Sequence, residues 1–264
     1  MERGLADSRA MAQRLILAGK VRVDGQLSEK ASRLVGAEQV VEVVAGRRYV
    51  SRGGEKIAAA LAEFGLDVAG RDCADVGAST GGFTDCLLQH GARSVFAIDV
   101  GHGLLHWKLR QDPRVVVLER TNARYLTEIP APVGLVTIDV SFISLRLIVP
   151  VVVNWLTPTG DVVALVKPQF EAGRDAVGKG GVVRDPAVHR KVLEDVLGFS
   201  ASAGLAPQGL IRSPLRGPKG NVEFLMWART GGEARSLDGE IERAVEPSAV
   251  SHQLSARGKT MTGA

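Results

Sequence analysis

The run Asp72-Cys73-Ala74 leads into Asp75-Val76-Gly77-Ala78-Ser79-Thr80-Gly81-Gly82-Phe83-Thr84, and Asp85-Cys86-Leu87-Leu88-Gln89-His90 follows. The first piece reads as the start of a buried strand and the last as a helix. The glycines between them read as the turn that joins the two. Small residues let the main chain approach a ligand closely, and free N–H groups at the helix start can receive its polar atoms. From here onward strand-like and helix-like runs alternate. Candidate strands are Asp72–Val76, Ser94–Asp99, Val115–Leu118, Leu135–Asp139 and Val162–Lys167; candidate helices are Phe83–His90, Leu104–Arg110, Leu145–Trp155 and Pro186–Ala203. Near-continuous apolar strands separated by helices predict an α/β fold, a mostly parallel sheet covered on both faces. Gln208–Arg212 and Asn221–Arg229 have no helix between them and read as an antiparallel pair closing one sheet edge.

The glycine spacing narrows the ligand. G-x-x-x-G-G is not the G-x-G-x-x-G of nicotinamide-binding folds, and no G-K-[ST] follows as a phosphate loop requires. Asp75, before the first glycine, suits a cationic amine better than a pyrophosphate. Asp99, closing the second strand, can accept hydrogen bonds from two ribose hydroxyls. An amine and an adenosine without a phosphate device point to S-adenosylmethionine. The candidate contacts are Asp75, Gly77, Ser79, Thr80, Gly81, Gly82, Phe83, Asp99, Val100, Asn122 and Asp139.

Residues 1–47 differ from the rest. Asp7-Ser8 offers a helix cap before Arg9–Ala18, with Met11, Leu15 and Ala18 on one face and Gly19 as the stop. Lys20-Val21-Arg22-Val23 alternates basic and apolar, Asp24-Gly25 is a hairpin turn signal, and Leu34-Val35 and Val40–Val44 predict further short strands. The first 48 residues hold nine Lys or Arg against six acids, most of the chain's net charge of +4. Helix, glycine, basic strand and Asp-Gly turn together resemble the alpha-L RNA-binding motif. That resemblance implies phosphate contacts by Arg9, Arg14, Lys20 and Arg22, with Arg52 from the segment that follows. The sequence begins inside the motif, without the additional helix such domains usually carry. The division expected is a basic domain over 1–47, a linker over 48–54, an α/β domain over 55–231, then a helix near Leu237–Val245 and a polar tail, 251–264. The only two cysteines, Cys73 and Cys86, flank the glycine turn and read as buried hydrophobes rather than a disulfide or metal pair. No Cys and His pattern resembles a zinc site, so no metal is expected. The longest apolar run, Leu145–Leu156, is broken by Arg146, Pro150 and Asn154, and the start carries no signal region. A cytoplasmic protein with no membrane partner is the expectation.

Four ionisable groups fall at or near the strand ends, where ligands sit in open α/β sheets. Asp139 ends one strand, Lys167 ends the next, Lys56 opens the helix Ile57–Phe64, and Glu223 enters the final strand. Charges inside apolar runs cost folding free energy unless paired, and they mark candidate sites; two structural ion pairs would be the plainer account.

Lys-Asp-Lys-Glu in that order, on such a fold, resembles the FtsJ-like ribose 2′-O-methyltransferases. The whole chain is similar to the TlyA family, which joins an alpha-L RNA-binding domain to an FtsJ-like domain. The match is carried by Val50–Lys56, Asp75–Thr84, Asp139–Ser144, Val166–Glu171 and Gly217–Glu223. It implies a Rossmann-like class I methyltransferase sheet with an antiparallel last strand. It also implies S-adenosylmethionine as cofactor, ribosomal RNA or ribosomal subunits as partner, and Lys56, Asp139, Lys167 and Glu223 as catalytic tetrad. A ribose hydroxyl is a poor nucleophile, so Lys167 must either take its proton or stabilise the developing alkoxide; the sequence leaves these two open. An Asn/Asp-Pro-Pro-aromatic turn for N-methylation is absent at Asp139, and neither cysteine ends a strand, as pyrimidine-carbon methylation requires. Arg174, Lys179 and Arg184 read as a flexible RNA-facing loop. Two other readings are a non-catalytic RNA-binding or ribosome-assembly factor and a membrane-active haemolysin, the label some such proteins carry.

Overall fold

The computed structural model describes residues 3–44 and 48–246. The chain divides between Arg48 and Tyr49 into two compact units. The expected polar tail, 251–264, and residues 45–47 at the end of the expected basic domain lie outside the described residues.

In the first unit, helix α1 (Arg9–Leu17) starts where the Ser8 side chain accepts a hydrogen bond from the Met11 amide. It stops at Gly19, beyond which Lys20 N–H reaches back to the Leu15 carbonyl. Strands β1 (Val21–Val23), β2 (Gln26–Leu27) and β3 (Val41–Val43) form an antiparallel sheet in the order β2-β1-β3. Val21 and Val23 are buried and Arg22 faces out, as the alternation predicts. Asp24 and Gly25 both have positive φ, 52° and 76°, which makes the turn type I′ and explains the Asp-Gly pair. Asp24 also accepts from the Val40 amide and the Gln39 side chain, so it ties the β1–β2 turn to the start of β3. Leu34-Val35 forms no strand. Leu34 is 96% exposed, because two apolar residues between a charge and Gly36 have no partner to register against.

In the second unit, helix α2 (Gly53–Phe64) begins inside the expected linker, so Gly53 and Gly54 are its first turn. Then come β4 (Asp72–Val76), α3 (Gly82–Gln89), β5 (Ser94–Ile98), α4 (Trp107–Arg110), β6 (Val115–Leu118), β7 (Val133–Ile138), α5 (Val149–Val152), β8 (Leu156–Val166), α6 (Pro168–Glu171), α7 (Pro186–Ser202), β9 (Ala206–Arg212), β10 (Phe224–Arg229) and α8 (Asp238–Val245). The sheet order is β6-β5-β4-β7-β8-β10-β9, parallel from β6 to β8, with β10 antiparallel to both neighbours. The strands read as apolar runs because both faces are covered. Ala74 and Val76 pack with Leu193 of α7 and Ile241 of α8, whereas Cys73 packs with Ile57 of α2 and Leu87 of α3. Each fully buried Val or Leu contributes about 1.5–3 kcal/mol, which fixes the register. Cys73 and Cys86 are both buried and free.

Two expected helices are shorter than their apolar patterns. Leu145–Trp155 is a series of short turns around α5, with Pro150 in its first turn, because proline cannot donate within a longer helix. Leu104–Arg110 is helical only from Trp107, where the His106 side chain accepts from the Lys108 amide.

Candidate active site

The strand order reverses at β4, whose sequence neighbour β5 lies on one side and β7 on the other. A cavity of about 1010 Å³ opens beyond the carboxyl ends of these strands, the place where open α/β sheets take ligands. Gly77, Ser79, Asp99, Val100, Asn122 and Asp139, six of the candidate cofactor contacts, line it. Gly77 has φ +85°, and a Cβ there would strike the carbonyl oxygen of Asp139, so only glycine lets β4 and β7 open side by side. Asp99 accepts from the Ser79 amide at 2.7 Å and the Gly101 amide at 2.6 Å, one on each oxygen. These bonds orient the carboxylate and leave further lone pairs for two vicinal hydroxyls. Asn122 is at the cavity wall, but its side-chain oxygen accepts from the Arg124 amide, so it also shapes the turn.

Asp75, Thr80, Gly81, Gly82 and Phe83 are not in the cavity wall. Phe83 is core, packed near Gly53, and a Cβ at Gly82 would meet the Ser51 hydroxyl and the Gly54 amide; both serve the packing of α3 on α2. Asp75 is fully buried and accepts from the Thr84 amide at 2.9 Å, the Thr84 hydroxyl at 2.6 Å and the Thr137 hydroxyl at 3.2 Å. It anchors the first turn of α3 to β7. Burial pushes its pKa up to about 7; the Thr84 and Thr137 hydrogen bonds oppose that shift, and the Asp139 charge adds to it. An unfolded aspartate titrates near about 3.9, so between the two values the folded state binds more protons, and stability is lost as pH rises from about 4 through about 7. Asp75→Asn keeps the shape without the ionisation. Its thermal midpoint, measured against that of the native chain, is expected to rise across this window by up to the equivalent of about 4 kcal/mol. A pH-independent difference would contradict the assignment.

The tetrad resolves into two ion pairs. Lys56 Nζ lies 2.6 Å from Glu223 Oε2, and Lys167 Nζ lies 2.6 Å from Asp139 Oδ1. Register brings them together: Phe224 of β10 pairs with Val166 of β8, so Glu223 and Lys167 emerge side by side. Ile138 pairs with Ala164, so Asp139 leaves the neighbouring strand on the same rim. Glu223 is buried and would be costly to leave unpaired, and Lys56 supplies the counter-charge from the first turn of α2. Lys167 also donates to Ser141 Oγ at 3.0 Å and stands over the Phe170 ring.

Sequence reasoning missed several wall residues, among them Ser141, Phe142 and Phe170. Phe142 is 90% exposed and has φ +63°, a conformation that bulky residues seldom adopt, and its ring packs on Phe170 at 5.1 Å. The signal available was an aromatic residue three positions after the strand-ending Asp139. Of the cations assigned to RNA, Arg9, Arg14, Arg22 and Arg52 are exposed and Lys20 is half-buried. Arg174 lines the cavity. The loop beyond it is tied down: Asn221 accepts from the Val183 amide and donates to the Gly181 carbonyl.

An FtsJ-like methyltransferase model matches residues 49–230, and an S4 domain model matches residues 2–41. A Mycobacterium tuberculosis protein named 16S/23S rRNA (cytidine-2'-O)-methyltransferase TlyA is 48% identical, over 93% of this chain and 94% of that one. The chain belongs to the TlyA family. The Bacillus subtilis relative YqxC, which carries an rRNA methyltransferase name, is 50% identical over 93% of this chain and 90% of its own. A solved structure of a hemolysin-named protein from Streptococcus thermophilus superposes with a TM-score of 0.75 at 41% identity, covering 98% of this chain and 95% of that one. No helix among the described residues is long and apolar enough to cross a membrane.

Proposed function

We propose that this chain transfers the methyl group of S-adenosylmethionine to a ribose 2′-hydroxyl of ribosomal RNA, on cytidine. The observation that carries this reading is Lys167 held between Asp139 and Ser141 at the rim of the cavity. Asp99, with both oxygens oriented by backbone amides, fits the ribose diol of the cofactor; Gly77 and Ser79 fit its close approach to the main chain. When bound, S-adenosylmethionine supplies an electrophilic methyl group on a sulfonium.

The chain's own residues do the rest. An ammonium has three N–H donors, and Asp139 and Ser141 engage two of them, leaving one for the ribose oxygen. Lys167 then fixes that oxygen and stabilises the negative charge that builds on it, while the hydroxyl proton passes to the partly exposed carboxylate of Asp139. Lys56 and Glu223 hold the adjoining wall of the site, and the basic cations of the S4 unit bind RNA phosphates.

Phe142 and Phe170 supply the surface for the base of the target nucleotide. A ribose inside a stacked helix cannot reach this rim, so the nucleotide must be splayed out and its base stacked on an aromatic face. Base–aromatic stacking is worth about 1–3 kcal/mol by alanine substitution, so Phe142→Ala is expected to lower kcat/KM for RNA by about 5- to 150-fold. Cofactor affinity and thermal stability should be unchanged, because the ring is exposed. Unaltered RNA kinetics would remove Phe142 from the substrate surface.

A further inference from the structure

A second concave site of about 420 Å³ lies where the end of β9 meets the start of α7, and its wall includes Arg184, His189, Arg212, Arg216 and Lys219. Among the described residues no carboxylate lines it. Asp185, next to Arg184, is engaged in capping α7 through the Ala187 amide. None of these four cations is in a salt bridge among the described residues. Arg212 is half-buried; one of its terminal nitrogens donates to the Val245 carbonyl, while its Nε is buried without a hydrogen-bond partner. Burial, and then the Arg216 charge, lower its pKa from the ordinary arginine value. His189 donates to the Val183 carbonyl and is pulled by burial toward its neutral form, so it serves as wall rather than as a further charge.

Four like charges gathered round a concavity, with a buried guanidinium N–H left over, are repulsive until an anion enters. The cluster is also fastened to the catalytic rim. Lys219 precedes Glu223 by four residues, a span of at most about 14 Å. Asn221 between them is buried and bonded to the loop that carries Arg184.

We infer that this pocket binds a backbone phosphate of the substrate RNA, a few nucleotides from the reacting ribose, and so sets the register of the strand on the tetrad. The inference rests on the proposed RNA methyl transfer and adds a site to it. Arg and Lys forks suit a phosphodiester, and a phosphate contact positions a strand without reading its sequence.

The test uses the full chain and the double variant Arg216→Ala/Lys219→Ala, both positions being exposed. Two probes are applied: inorganic phosphate, followed by thermal shift, and ribosomal RNA, followed by affinity against salt. The double variant is expected to lose the phosphate-induced shift. Its log–log salt slope for RNA should fall by about 0.7 for each single-strand phosphate contact removed. Cofactor affinity should not change. Phosphate binding undiminished in the variant overturns the pocket as an anion site. Phosphate binding lost with an unchanged RNA salt slope overturns its assignment to RNA and leaves a free-phosphate site. Failure of the native chain to methylate any RNA would instead contradict the proposed function, while the phosphate measurement would still report on the pocket.

Discussion

Lys167→Ala is expected to lower the rate of methyl transfer by about 10²–10⁴-fold, the range typical of losing an oriented proton-transfer group or a charge-stabilising donor. Cofactor affinity should stay within about twofold, because Lys167 is not part of the cavity wall. The variant also stands to fold. Its partner Asp139 is partly exposed and can be solvated once the ammonium is gone, whereas Lys56→Ala would strand the buried Glu223. Equal losses in kcat and kcat/KM for RNA would place the missing interaction in the transition state rather than in substrate binding. Lys167→Arg should recover little, since a planar fork does not reproduce a compact ammonium set between Asp139 and Ser141. Isothermal titration with S-adenosylmethionine beside single-turnover methylation separates the two quantities. Parallel collapse of both would mean that Lys167 supports the fold or the cofactor and not the reaction.

Asp99→Ala should give the opposite signature. Two hydrogen bonds from ribose hydroxyls to a carboxylate contribute about 1.5–3 kcal/mol each, so cofactor affinity is expected to fall by about 10²-fold or more. The loss is compounded because the Ser79 and Gly101 amides lose their acceptor, and the loop that presents Ser79, itself at φ +50°, loses its restraint. At saturating cofactor the transfer rate should recover most of its native value, since Asp99 follows β5, which β4 separates from β7 and its Asp139. A variant with native cofactor affinity would move the ribose to another part of the cavity.

The two carboxylates Asp75 and Asp99 show what a single sequence can and cannot reveal. Each lies within a residue of the end of a buried strand before a turn, and the linear pattern gives them equal claims on the ligand. Their fates are decided by tertiary neighbours. Thr84 and Thr137 enclose Asp75 in the packing between α3 and β7, while Asp99 accepts from two backbone amides and lines the cavity. The four charges at the strand ends were easier to single out, because a charge terminating an apolar run stands out whatever its partner. Which lysine pairs with which acid was not legible: it follows from β10 entering antiparallel beside β8, a register joining residues far apart in the chain. The sheet itself was readable, since strands covered on both faces must be apolar throughout. The broken helix around Pro150 and the positive φ of Phe142 were hidden, because apolar periodicity reports burial and not backbone conformation. The pocket at Arg212 escaped for a related reason, its cations being drawn together from three separate segments.

The most direct test of the central claim is transfer of labelled methyl from S-adenosylmethionine to ribosomal subunits and to naked ribosomal RNA, followed by alkaline hydrolysis and mapping. Alkali cleaves RNA through the free 2′-hydroxyl, so a 2′-O-methylated nucleotide resists it. Label is expected only in an alkali-stable linkage following a cytidine, and is expected to be lost in Lys167→Ala. Label released in single nucleotides, as base methylation would give, or no label in any RNA, would contradict the claim.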